Sequence, residues 1–167
     1  MMRFRRSTDD GERGQSLVEF ALVIPIVLLL IIGLFDLGRA VYAYNSVSNA
    51  ARTGARVAIV DQTIEIQTRA VQQAVSLGLA PVEVAVQFHR PDPNPDPMDN
   101  PLCATLSIGC IAVVCVQYSY VPATPIIGGI VGPFYVSSMA TMPMETVLDP
   151  AAVPPVYSVP ASTPCDI

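Results

Sequence analysis

The sequence predicts an α+β protein: a long N-terminal helix, half in a membrane and half exported, then a second short helix and a small antiparallel sheet of about three strands, closed by a proline-rich tail. Three observations carry this. Phe20 to Phe35 is a run of sixteen residues without a charge. Small residues then recur at helical spacing as far as Val60, and beyond residue 80 the pattern changes to period two. At 167 residues there is room for one domain with attachments.

The apolar run comes first. Thirteen of its sixteen residues are Leu, Ile, Val or Phe, which together favour insertion by about 4 to 8 kcal/mol. One carboxylate, Glu19, stands just before it, and an acid at the bilayer centre would cost on the order of 3 kcal/mol. Insertion wins even with Glu19 included. Gln15 to Leu37 supplies the roughly 20 residues a span requires. Pro25 removes the hydrogen bond to the Ala21 carbonyl, and a membrane helix tolerates that as a kink. Arg3, Arg5, Arg6 and Arg13 precede the span, while only Arg39 follows it closely. The N-terminus therefore stays in the cytoplasm and the chain beyond about residue 37 is exported. A cleaved secretory signal fits less well, because the apolar region is long and no A-x-A site follows it.

The helical pattern continues past the span. Val41, Tyr44, Val47, Ala51, Ala55 and Ala58 recur at three- or four-residue spacing, with polar residues between them. A continuous helix from Ser16 to Val60 would be about 67 Å long. Its face is made of small residues, Ala40, Ala43, Ala50, Ala51, Gly54 and Ala55, which permit close approach either by the chain's own exported domain or by a partner helix. Asp61-Gln62-Thr63 breaks the pattern and offers a cap. A second helix is expected from Ile64 to Leu77, stopping at Gly78.

In VEVAVQF, Val82, Val84, Val86 and Phe88 face one way and Glu83, Ala85 and Gln87 the other, a strand with one buried face. Asn100 to Met144 carries no charge. Within it, the β-branched and aromatic CIAVVCVQYSYV, bracketed by prolines, reads as a strand rather than a second span. PIIGGIVGP contains a G-x-x-x-G, Gly128 and Gly132, but its prolines favour a loop over a dimerising helix. Phe134 to Met142 is a third strand. Val147 to Ile167, with five prolines, is an extended tail.

Several chemistries find no support. The net charge is −5 and the nine arginines form no stripe, which argues against nucleic acid as a partner. The one histidine, His89, excludes a two-histidine metalloprotease motif, and its place at a strand end predicts an exposed residue. No phosphate or dinucleotide fingerprint occurs, and neither a cofactor nor an enzymatic activity is expected. Asp92, Asn94 and Asp96 have the alternation of a calcium loop. Pro97 then stands where the turn glycine belongs, and Cys103 where a bidentate glutamate belongs, so a solvated, proline-stiffened loop is expected, with a loose calcium site as the alternative. Cys103, Cys110, Cys115 and Cys165 all lie on the exported side without a C-x-x-C, so a zinc site is not expected. Two disulfides have three possible pairings. Joining Cys115 to Cys165 would pin the tail to a strand and leave Cys103 with Cys110; buried free thiols are the alternative.

A basic leader, Gly14, Glu19 five residues later and then a long apolar helix resemble the processing site of type IV prepilins. More closely, the stretch from Gly14 to Arg56 resembles the TadE-like family of the tight-adherence pilus system. The matching features are Gly14, Val18-Glu19-Phe20-Ala21, Pro25, and Asn49-Ala50-Ala51-Arg52 through Ala55-Arg56. VCVQYSYVPATPII and the closing MATMPME, with Glu145, resemble the family more weakly. The resemblance implies a minor pilin or pseudopilin, cut between Gly14 and Gln15 by a prepilin peptidase. Glu19 would then pair with the N-terminal amine of a neighbouring pilin. The implied organisation is a leader over 1–14, a transmembrane helix over 15–37, an exported domain over 38–146 and a tail over 147–167. Its place is the cytoplasmic membrane, with passage into a pilus and partners among other pilins and the assembly platform. The alternative is an uncleaved single-pass membrane protein whose exported domain binds a ligand, a surface polymer or another envelope protein.

Overall fold

The computed structural model describes residues 9–62, 65–91, 100–147 and 165. Its longest element is helix α1, Asp9–Val60, whose 52 residues span about 78 Å. It starts earlier than the apolar pattern required. The stretch from Asp9 to Arg13 has no proline to stop a helix, and a glycine such as Gly14 costs only about 1 kcal/mol. Pro25 lies inside α1. The helix is long and apolar enough to cross a membrane, and the window that qualifies is not buried by the rest of the chain.

Beyond Phe35 the same helix enters the fold. Ala43, Val47, Ala50, Ala51, Ala55 and Ala58 are buried, and they face the chain's own sheet and second helix. Gly54 explains the preference for small residues. A Cβ there would stand 2.9 Å from Val114 Cγ1 and 3.3 Å from the Ala70 Cβ, so α1 meets the sheet and α2 backbone-close at this turn.

Helix α2, Glu65–Gln73, buries Ile66 and Ala70 against α1. It tightens into a 3-10 turn, Val75–Leu77, and stops at Gly78, whose φ of 65° is left-handed and whose N–H bonds the Val75 carbonyl. Thr63 and Ile64, part of the expected cap and helix start, lie outside the described residues. A second 3-10 turn, Pro81–Glu83, is held by the Glu83 carboxylate accepting the Ala80 N–H at 2.7 Å. Strand β1 therefore begins at Val84, not at Val82, which is exposed.

The sheet has the order β1-β2-β3 and is antiparallel throughout. Strand β2, Ile111–Tyr120, lies between β1, Val84–His89, and β3, Phe134–Pro143. Val84, Val86 and Phe88 sit opposite Val116, Val114 and Ala112. These six join α1 and α2 in the main core.

The expectation of one buried face on β1 is corrected, since all six of its residues are buried. On the second face Ala85 packs with Cys115 and Cys165. His89 is corrected with it: it is 4% exposed. The segment from Asn100 to Cys103 returns along β1, with Cys103 N–H donating to the Phe88 carbonyl and Arg90 N–H to the Pro101 carbonyl. His89 Nδ1 bonds the Asn100 carbonyl oxygen at 2.7 Å, and Nε2 bonds Gln87 Oε1 at 3.0 Å. Both ring nitrogens have partners, as a buried imidazole requires.

PIIGGIVGP is also corrected. Pro125–Val131 forms a short helix, α3, instead of a loop. Pro125 suits the first helical turn. Gly132 ends the helix at φ 70°, its N–H bonding the Gly128 carbonyl. Because Gly132 caps the helix, Gly128 and Gly132 do not form one continuous helical face.

Candidate functional site

The head of α1 stands free of the domain. A Cβ on Gly14 would meet nothing within 4 Å. Gln15 and Glu19 lie one helical turn apart, with Gln15 Nε2 donating to Glu19 Oε1 at 3.4 Å. Gln15 to Val23 is exposed throughout. Gly14 and Glu19 thus sit on one continuous, exposed helical segment, where an enzyme or a neighbouring helix can reach them without disturbing the sheet.

A second constellation forms where the apolar run ends. Asp36 is the first charge after it, and it is 6% exposed. Its carboxylate accepts the Ala123 N–H at 3.0 Å and the Thr124 N–H at 2.8 Å, and it accepts the Thr124 hydroxyl as well. Its backbone carbonyl accepts the Tyr120 hydroxyl at 2.9 Å. Arg39, one turn on, lies 3.6 Å from the carboxylate and stacks 5.7 Å from the Tyr120 ring centroid. Burial, with the Asp36 charge adding to it, pushes the Tyr120 phenol above its ordinary value, so the hydroxyl keeps the proton it donates. A buried carboxylate is tolerable because each oxygen is met by donors. The result ties α1 to the start of α3 at the level where the helix leaves its exposed stretch.

The sequence did not single out Asp36. Its signals were present: a lone acid closing an apolar run, an Arg three residues later, and a Thr-Pro step that starts a helix. The partner Thr124, however, is 88 residues away, and no local pattern joins them.

Cys103 is disulfide-bonded to Cys110, and Cys115 to Cys165. The first closes a seven-residue separation beside the segment that covers His89. The second spans 50 residues and fixes position 165 against Ala85 on the back of the sheet. Asp92, Asn94, Asp96 and Pro97 lie outside the described residues. Among the described residues no group of three His, Cys, Asp or Glu side chains could hold a metal ion.

Compared with known families, residues 14–56 match the model of the TadE-like protein family. The match lies wholly within α1. It contains Gly14, Glu19, the apolar run, Asp36 and the small-residue face, and it excludes the sheet and all four cysteines. It supports a pilus-associated component with an N-terminal apolar helix. No curated protein and no solved structure matches the chain.

Proposed function

We propose that this chain is a minor pilin or pseudopilin of a tight-adherence pilus system, cut by a prepilin peptidase between Gly14 and Gln15 and acting structurally. One observation carries the reading. Residues matching the TadE-like family form a helix whose first half the chain's own fold leaves almost wholly exposed. Such a helix rests in lipid before assembly and packs against other helices afterwards. The N-terminus faces the cytoplasm and the domain beyond Asp36 is exported, in keeping with the arginines ahead of the span.

Gly14 suits the scissile position because it has no side chain and lowers helix stability by about 1 kcal/mol, easing the local unwinding a protease needs. Glu19 would accept the new amine of Gln15 on a neighbouring subunit. A carboxylate in lipid is costly alone and acceptable when paired.

The uncleaved alternative has one observation in its favour: α1 runs unbroken from Asp9 through Gly14, and helical backbone resists proteolysis. Co-expression with the peptidase decides between them. Mass spectrometry of the membrane fraction is expected to show a chain beginning at Gln15. Finding only the intact leader would establish the alternative, an anchored protein with an exported binding domain.

A further inference from the structure

Near the outer end of the exposed stretch of α1 lies a second apolar surface, supplied by α3 and the residues beside it. Val131 and Pro122 share a groove with Gly33 and Leu37 of α1, so α3 stands at the height where the apolar run ends. Ile130 is 81% exposed. Val121, Val131, Phe134 and Tyr135 are also exposed to a large degree, and no charged residue occurs between Asn100 and Met144.

We infer that α3 and its flanks are an interfacial foot, resting in the outer boundary of the bilayer that holds the apolar half of α1. This rests on α1 being a membrane span. Three things on the molecule select lipid as the occupant. The Asp36 bonds to Ala123 and Thr124 hold the start of α3 beside the span's last turn. A span of about 20 residues places its hydrocarbon edge near residues 33 to 37, the height of Val131. Finally, Arg39, Tyr42 and Tyr44 follow the span's end within two turns of α1, each tyrosine about half exposed, and Tyr135 beside Phe134 is half exposed too. Aromatic and basic side chains are those that settle at a membrane boundary.

The foot gives the domain a second point of attachment beside the helix. Two attachments fix the tilt of the sheet relative to the membrane, which one helix alone leaves free.

The chain contains no tryptophan, so a single introduced one reports its own surroundings. Three full-length variants are placed in vesicles of phosphatidylcholine and phosphatidylglycerol: Ile130→Trp, Leu28→Trp in the apolar run, and Val60→Trp, an exposed site at the far end of α1. Emission is measured with lipids brominated near the headgroup or deep in the chains. The Ile130→Trp variant is expected to be blue-shifted and quenched by the shallow bromines. The Leu28→Trp variant should be quenched by the deep ones and the Val60→Trp variant by neither. If Leu28→Trp is unquenched, the membrane reading itself fails and the foot with it. If Leu28→Trp is quenched while Ile130→Trp matches Val60→Trp, the foot alone is overturned. A blue-shifted Ile130→Trp signal that no lipid quenches, and that grows with protein density, would mean that another copy covers α3, and would overturn lipid as the occupant.

Discussion

Between Gly14 and Phe35 the long helix exposes nearly every side chain, most of them Leu, Ile, Val or Phe, whereas between Asp36 and Val60 it buries a stripe of alanines around Gly54. Hydrophobicity alone does not separate the two halves. Size does. Large branched side chains suit a fluid hydrocarbon surrounding, where no neighbour must fit them. Small ones suit a fixed neighbour, because they let α1 approach β2 and α2 at backbone distance. The helix changes its surroundings at Asp36, and the bonds from Ala123, Thr124 and the Thr124 hydroxyl mark the changeover.

Substitutions in the lower half should spare the fold and affect assembly, while those in the upper half should do the reverse. Glu19→Ala carries the largest expected effect. Insertion is slightly eased, since a transfer penalty disappears. A neighbour's amine left buried and unpaired costs roughly 3 to 5 kcal/mol, enough to prevent incorporation. Membrane abundance should be unchanged and filaments lost; wild-type copurification with filaments would remove the assigned role of Glu19.

Replacing Cys115 and Cys165 together with serine should lower the stability of the α+β domain by about 4 kcal/mol, against about 2 kcal/mol for the Cys103 and Cys110 pair, because the first closes the longer loop. Thermal melts of full-length protein in micelles measure both; an inverted order would break the argument. Asp36→Ala strips acceptors from two backbone N–H groups and a hydroxyl, at about 3 kcal/mol. Melting should fall while insertion, followed by protease protection, stays intact.

The smallest effect sharpens the contrast most. Gly54→Ala pushes a methyl against Val114, an overpacking cost of about 1 to 3 kcal/mol that outweighs a helix-propensity gain of up to about 1 kcal/mol. Gly38→Ala meets nothing within 4 Å and should stabilise by up to about 1 kcal/mol. Opposite signs in the same melt are expected. A stabilising Gly54→Ala would mean that α1 does not sit as close to β2 as described.

Legibility in the sequence followed the range of the interactions. The apolar run, the alanine stripe and strands β2 and β3 were readable because their periodicity is carried by neighbouring residues. His89 was misread since its burial depends on Asn100 and Pro101 returning along β1, which alternation within VEVAVQF does not encode. Helix α3 was hidden by flanking prolines: Pro125 starts it and Pro133 follows it, yet both also mark loops. The Asp36 clamp joins residues far apart in the chain, and it needs the β2–β3 connection to pack beside α1 before it can be seen. Gly14 and Glu19 were the reverse case. Their spacing was evident at once, and the bond from Gln15 to Glu19 stays within one turn of α1; the role proposed for them would be met outside the subunit.

The bond between Cys115 and Cys165 makes a covalent ring of the chain between them, and β3 and α3 both belong to that ring. A single cut by an extracellular protease anywhere from residue 116 to 164 would open the ring without separating the fragments. β3 would stay tethered to the membrane helix through sulfur even after its peptide link was lost. The nicked protein would run as one species on a gel until a reductant was added. Damage of this kind is invisible to a mass measurement of the intact chain except as one added water, so a domain closed by this bond can be broken once and remain whole.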